Sequence, residues 1–168
     1  MDFEMNMNWM NSALFFGIGV SCIALVYSAC LSFIIMRKPS GNAQMKGISA
    51  AIQEGASAYL FRQYLTIALV GILVAILLFW QAPNHWIAWG FVLGAVLSGI
   101  SGYGGMFISV RANVRTAYAA SQKGLRSAFS LAFRSGAVTG FLVNGLGLIS
   151  IAGYTFLMRH WGASTRHM

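Results

Sequence analysis

Residues 12–36 read SALFFGIGVSCIALVYSACLSFIIM, twenty-five consecutive positions without a formal charge. As an α-helix this run is about 37 Å long at roughly 1.5 Å per residue, longer than the bilayer's hydrocarbon core of about 30 Å. Arg37-Lys38-Pro39-Ser40-Gly41-Asn42 follows at once and stops a helix with charge, a proline and turn formers. The run is too long for the apolar core of a signal peptide, and Asp2 and Glu4 stand where such a peptide carries basic residues.

The whole chain supports the same class. Of its 168 residues, 58% are hydrophobic and 8% charged, against about 25% charged in ordinary soluble domains. Too little polar surface is available for a water-soluble globule, and two cysteines make no disulfide scaffold. A second helix is expected from residue 48 to residue 80, with Phe61 to Trp80 at lipid depth. Gln81-Ala82-Pro83-Asn84-His85 is a short turn, so a third span over residues 86–107 runs back antiparallel. The last apolar run, Ser135 to Met158, follows a polar, helix-compatible segment from Arg111 to Arg134, and its helix is placed at residues 125–158. No run alternates with period two, which leaves an all-α integral membrane protein with four transmembrane helices in one membrane domain, residues 1–168.

Charge sets the direction. Arg37, Lys38, Lys46 and Arg62 flank the first connection, and Arg111, Arg115, Lys123, Arg126 and Arg134 flank the third. Only Arg159 and Arg166 fall on the other side, with the acidic start of the chain. By the positive-inside rule both termini are expected outside the cytoplasm. Trp9, Trp80, Trp86, Trp89 and Trp161 all fall at the expected outer boundary, where an amphipathic indole is at home. A net charge of +8 would suggest nucleic acid in a soluble protein; here it marks cytoplasmic loops, and the partner is the lipid bilayer, with no nucleic acid.

Helices in lipid associate through close packing, which small residues permit. Gly17, Ser21, Ala24, Ser28 and Ser32 make such a stripe on the first span, and Gly90, Gly94, Ser98 and Gly102 on the third. Ala132, Gly136, Gly140 and Gly147 repeat it on the fourth, and Ala68, Gly71 and Ala75 more weakly on the second. Four such stripes predict a packed bundle and name no function.

Candidates for chemistry are few. Glu54 is the one acid beyond the start of the chain, and an intramembrane acid would mark a proton or cation site. Counting back from Trp80 puts it about 10 Å outside the hydrocarbon, where a solvated or salt-bridged structural role is favoured. Arg62 lies at the inner boundary, where its side chain can snorkel, and is too far from Glu54 for an i,i+4 pair. Arg111 and Arg115, one turn apart, form a basic edge suited to phosphate or to anionic lipid and topology. Gly102-Tyr103-Gly104-Gly105 lacks the Lys-Ser/Thr of a phosphate loop. Cys22 and Cys30 cannot pair on one helix, and His85, His160 and His167 have no acid or cysteine at ligand spacing. No catalytic set and no metal site is expected within this chain.

Three stretches together carry a resemblance. AIQEGASAYLFRQY spans Ala51 to Tyr64; SGISGYGGM, from Ser98 to Met106, leads to RANVRTA over Arg111 to Ala117; and AFRSGAVTG spans Ala132 to Gly140, with Gly145-Leu146-Gly147-Leu148 beyond it. In order and spacing they resemble the amino-terminal quarter of the membrane-bound, ion-translocating inorganic pyrophosphatases, across about Ser12 to Met158. RANVRTA, which contains Asn113, and AFRSGAVTG are the specific portions; Ser135 and Thr139 depart slightly from the family pattern. The resemblance implies a pump of about sixteen helices, homodimeric, hydrolysing pyrophosphate with Mg²⁺ on the cytoplasmic side and moving H⁺ or Na⁺ outward. It further implies that the Asp-rich motifs holding Mg²⁺ belong to later helices, since this chain has no Asp after Asp2. The chain then corresponds to an outer scaffold fragment, inactive alone, and its short first connection is similar to that of members in the bacterial inner (plasma) membrane. The alternative is a small non-enzymatic four-helix transport subunit or scaffold.

Overall fold

The computed structural model of the chain describes the backbone of residues 2–82 and 84–162 and the side chains of residues 9, 11–82 and 84–159. Within those residues there are three helices and no strand: α1 (Asp2–Met36), α2 (Ala43–Gln81) and α3 (His85–Gly162). All three run past the apolar stretches at which they are expected. Helical hydrogen bonds continue for as long as no residue breaks them, whatever the polarity of the side chains.

The turn between α1 and α2 is set by two residues. Gly41 sits at φ 89°, in the left-handed region, and a Cβ there would lie 2.6 Å from the Met45 sulfur and 3.2 Å from the Tyr118 ring. Asn42 caps α2, its side-chain oxygen accepting from the Met45 amide at 2.9 Å. At the far end, the Ala82 amide donates to the Leu78 carbonyl at 2.9 Å, and the Asn84 side chain accepts from the Trp86 amide at the start of α3.

α3 is 78 residues long but not continuous. Gly124 has φ 75° and ψ 180°, a combination essentially confined to glycine, and divides the helix into arms 85–123 and 125–162. Both α1 and α2 pack on α3, and among the described residues their backbones do not come together.

The densest packing lies where the end of α1 meets both arms. Leu31, Ile35, Ala112, Leu131 and Val138 form this core, with Ile108, Ala119 and Ala137 against it. Higher up, Tyr27 meets Phe141 and Phe15 meets Phe156, both edge to face. Two serines of the α1 stripe are fully buried: Ser28 donates to the Val138 carbonyl at 2.9 Å, and Ser21 to the Gly17 carbonyl at 2.6 Å. In a non-aqueous interior a hydroxyl must find such an acceptor.

Much of the remaining surface is apolar, above all on α2. None of the most apolar window of α2 is buried, and Leu65, Leu69, Ile72, Leu73 and Ile76 all point outward. Water would not tolerate so large a patch, whereas lipid requires it. All three helices are long and apolar enough to cross a membrane. Trp9, Trp80 and Trp89 are exposed, Trp86 is half-buried, and the side chain of Trp161 lies outside the described residues.

Candidate functional site

The polar chemistry of the chain gathers around Arg115, on the first arm of α3. Its guanidinium donates from Nε to the Lys38 carbonyl at 3.1 Å and from Nη2 to the Met36 carbonyl at 3.1 Å. A third bond runs from Nη1 to the Arg111 carbonyl within its own helix, at 2.6 Å. Met36 ends α1 and Lys38 follows it, so Arg115 satisfies carbonyls that a helix end leaves open and sets positive charge against the negative pole of α1. Partial burial, and then the neighbouring charge of Arg111, hold its pKa below the ordinary arginine value.

Arg111 does not share this arrangement. Its guanidinium lies 3.4 Å from the centre of the Phe107 ring and bonds the Phe107 carbonyl. Arg37 similarly covers Phe33 at 4.1 Å. The basic edge of Arg111 and Arg115 is thus two separate devices, a helix clamp and a cation–π contact.

Arg115 and Arg134 line one concavity together, with residues that had no expected site role. A concavity of about 420 Å³ opens below the α1–α2 turn and beside the break at Gly124. Lys38, Arg115, Lys123, Arg126 and Arg134 line it, and no acid does. Apart from Arg115, the side chains of these cations have no hydrogen-bond or ion-pair partner among the described residues. Spacing in the sequence could not reveal the set, because Lys38 reaches it from the α1–α2 turn, far from the others along the chain. Asn113 and Gly136 line a second, shallow concavity of about 440 Å³, walled largely by alanines between the two arms of α3. Glu54 and Arg62 are exposed on α2 and line neither concavity.

Close packing of the glycines is selective. A Cβ at Gly90 would lie 2.9 Å from the Tyr154 ring, and the Tyr154 hydroxyl donates to the Trp86 carbonyl. At Gly102 it would lie 2.6 Å from the Tyr64 hydroxyl, which donates to the Gly99 carbonyl at 3.0 Å. Gly105 fits against Thr139, and Gly145 against Leu25 and the Ser21 carbonyl. Nothing described lies within 4 Å of such an atom at Gly94, Gly136 or Gly140. Tyr64 and Tyr154 are the packing residues that small-residue spacing does not find; a tyrosine deep in an apolar helix, needing an acceptor for its hydroxyl, is the available signal.

Mg²⁺ does not fit these residues. Glu54 is the only acid among the described side chains, and no three His, Cys, Asp or Glu residues come together among them. Cys22 and Cys30 are free, and His85 stacks on Phe79. The side chains of Asp2, Glu4 and His160, and the whole of Arg166 and His167, lie outside the described residues.

The profile of a family described as inorganic H⁺ pyrophosphatase matches residues 22–168. A K⁺-insensitive pyrophosphate-energized proton pump of Methanosarcina mazei is 49% identical over 128 residues, covering 76% of this chain and 19% of the relative. Proton pumps of the same description from Moorella thermoacetica and Pyrobaculum aerophilum are 40% identical over 143 residues and 34% over 158. Those alignments cover 85% and 91% of this chain, but 20% and 22% of the relatives. The chain therefore spans about a fifth of the length of the curated relatives it matches.

Proposed function

This chain belongs to the inorganic H⁺ pyrophosphatase family, and we propose that it is the amino-terminal scaffold portion of a membrane pyrophosphatase coupling pyrophosphate hydrolysis to outward H⁺ or Na⁺ transport. Support comes above all from the family match, which runs through nearly the whole apolar chain. A stand-alone transport subunit or scaffold is the weaker reading, because the matched relatives are pyrophosphate-energized pumps.

In this proposal the two arms of α3 are separate spans, giving four within a protein of about sixteen helices. The α1–α2 turn and the Gly124 break face the cytoplasm, and both termini lie outside it. Nine of the eleven Lys and Arg residues flank those two connections, which supports that direction. Arg111, Arg115 and Arg134, with Asn113, Glu54 and Arg62, serve the cytoplasmic rim structurally. Gly90 and Gly102 pack within the chain, while Gly94, Gly136 and Gly140 receive helices from elsewhere in the protein. The complete pump is a homodimer in a bacterial plasma membrane, its Mg²⁺ and pyrophosphate held by carboxylates and cations on other helices.

The test is phosphate release from Mg²⁺–pyrophosphate by the purified, reconstituted chain, with Glu54→Gln as control. Asp2, Glu4 and Glu54 are its only acids, too few for a multi-metal hydrolytic site. No turnover is expected from the chain alone, and turnover should return when the remaining helices of a relative are co-expressed. Sustained hydrolysis by the chain alone, lost in Glu54→Gln, would refute the scaffold role.

A further inference from the structure

The basic concavity lies beside a second feature that no hydrolytic role explains. Just past Gly124 the chain reads Leu125-Arg126-Ser127-Ala128-Phe129-Ser130-Leu131-Ala132-Phe133-Arg134. Steps of three and four along this helix separate three faces. Ala128, Leu131 and Ser135 are buried. Arg126, Ser130 and Arg134 line the basic concavity. Leu125, Phe129 and Phe133 are 85%, 73% and 69% exposed, and the two phenyl rings stack on each other at 6.3 Å. An apolar stripe directly beside a basic one suits the end of a spanning helix where it leaves the bilayer. There, rings enter the acyl boundary while cations stay at the level of the lipid phosphates.

We propose that this concavity binds the phosphate headgroup of an anionic phospholipid, with Phe129 and Phe133 against its acyl chains. Lys38, Lys123, Arg126 and Arg134 supply four exposed cations whose side chains have no partner among the described residues, and no acid lines the site to compete. Arg115 forms the back wall and is already committed to the carbonyls of Met36 and Lys38. A free anion would need only the cations. The adjoining exposed rings are what single out a lipid, because they give its tails a surface that inorganic phosphate could not use.

Native mass spectrometry of the intact protein, titrated with phosphatidylglycerol in neutral phosphatidylcholine micelles, tests this. One tightly held phosphatidylglycerol per chain is expected, in preference to phosphatidylcholine. Each cation near a lipid surface contributes roughly a factor of five, so Arg126→Gln with Arg134→Gln should weaken binding about 25-fold. Arg126→Lys with Arg134→Lys should keep most of it, and Phe129→Ser with Phe133→Ser should weaken it while leaving every charge in place. Arg37→Gln removes a cation outside the concavity and should change nothing. Circular dichroism of each variant checks that the helices are intact, and the lysine pair provides the reading if the glutamine pair misfolds. Equal binding of the two lipids, or an equal loss in Arg37→Gln, would overturn the site. Displacement of phosphatidylglycerol by millimolar inorganic phosphate, with the serine pair unaffected, would make it a free-phosphate site and overturn the lipid assignment.

Discussion

Arg115→Gln should loosen the end of α1 from α3, by an amount that the hydrogen bonds allow one to work out. Two of the three guanidinium bonds cross between elements, to Lys38 and Met36 at 3.1 Å each; the third is internal to α3 and holds nothing together. A hydrogen bond from a charged donor contributes about 1.5–3 kcal/mol when protected, and less where water competes, as it does at Lys38. Positive charge at the helix end adds about 0.3–1 kcal/mol. Against this stand partial burial and then the neighbouring charge of Arg111, which lower its pKa. For a base, a depressed folded-state pKa means that the charged form is penalised at every pH below it, hence through the whole working range. The net loss expected is about 2 kcal/mol, or roughly 4–8 °C in Tm for a chain of this size. Arg115→Lys keeps the charge but cannot fork between two carbonyls, so about half the loss should remain. Thermal unfolding of the intact protein in detergent, followed by circular dichroism, gives the comparison. The difference should be the same across roughly pH 6–8, because an arginine keeps its proton throughout. A glutamine variant that melts with the parent, or a lysine variant that fully restores it, would refute the clamp.

Three further outcomes follow from the geometry. Gly124→Ala should cost about 1–3 kcal/mol from backbone conformation alone, since nothing described lies within 4 Å of the new atom. Gly41→Ala should cost more, because its Cβ also meets Met45 and Tyr118, and the two melting temperatures should rank accordingly. Gly145→Leu should disrupt packing of the chain by itself, because the Ser21 backbone stands 3.3 Å from the Cβ position; Gly136→Leu should leave the chain unaffected and weaken only the assembled, full-length protein. Gel filtration and thermal stability of both forms distinguish these effects. With Cys22 and Cys30 replaced, Ser40→Cys and Gln122→Cys should react with a membrane-impermeant thiol reagent only from the cytoplasmic side, and Asn84→Cys only from outside. Labelling of Ser40→Cys from outside would invert the topology.

The long helices are legible in the sequence because uncharged runs such as 12–36 leave the backbone no alternative in lipid. The Arg115 clamp is not legible, since its acceptors are main-chain carbonyls 77 and 79 residues away and carry no side-chain signature. Small-residue spacing finds Gly90 and Gly102, but it gives Gly136 the same weight and passes over Gly145, although Gly145 meets a neighbour among the described residues and Gly136 does not. The spacing fixes which residues share a face, while tilt and rotation decide what that face touches. The basic concavity escapes for a related reason. Its lysines and arginines are distributed between the α1–α2 turn and the two sides of the Gly124 break, and only the fold brings them to one place.

That α1 and α2 each rest on α3 and not on each other has a bearing on how the chain is made. Translation delivers α1 and α2 to the membrane first, and neither finds its partner until α3 follows. Each must therefore be accepted by the bilayer as a solitary passenger, and they carry the two most apolar windows of the three helices. α3, with its serines, glycines and basic rim, is the less apolar and enters where two waiting helices can receive it. The gradient of hydrophobicity along the chain thus follows the timetable of its biogenesis: the segments that must wait alone are those that lipid alone can hold.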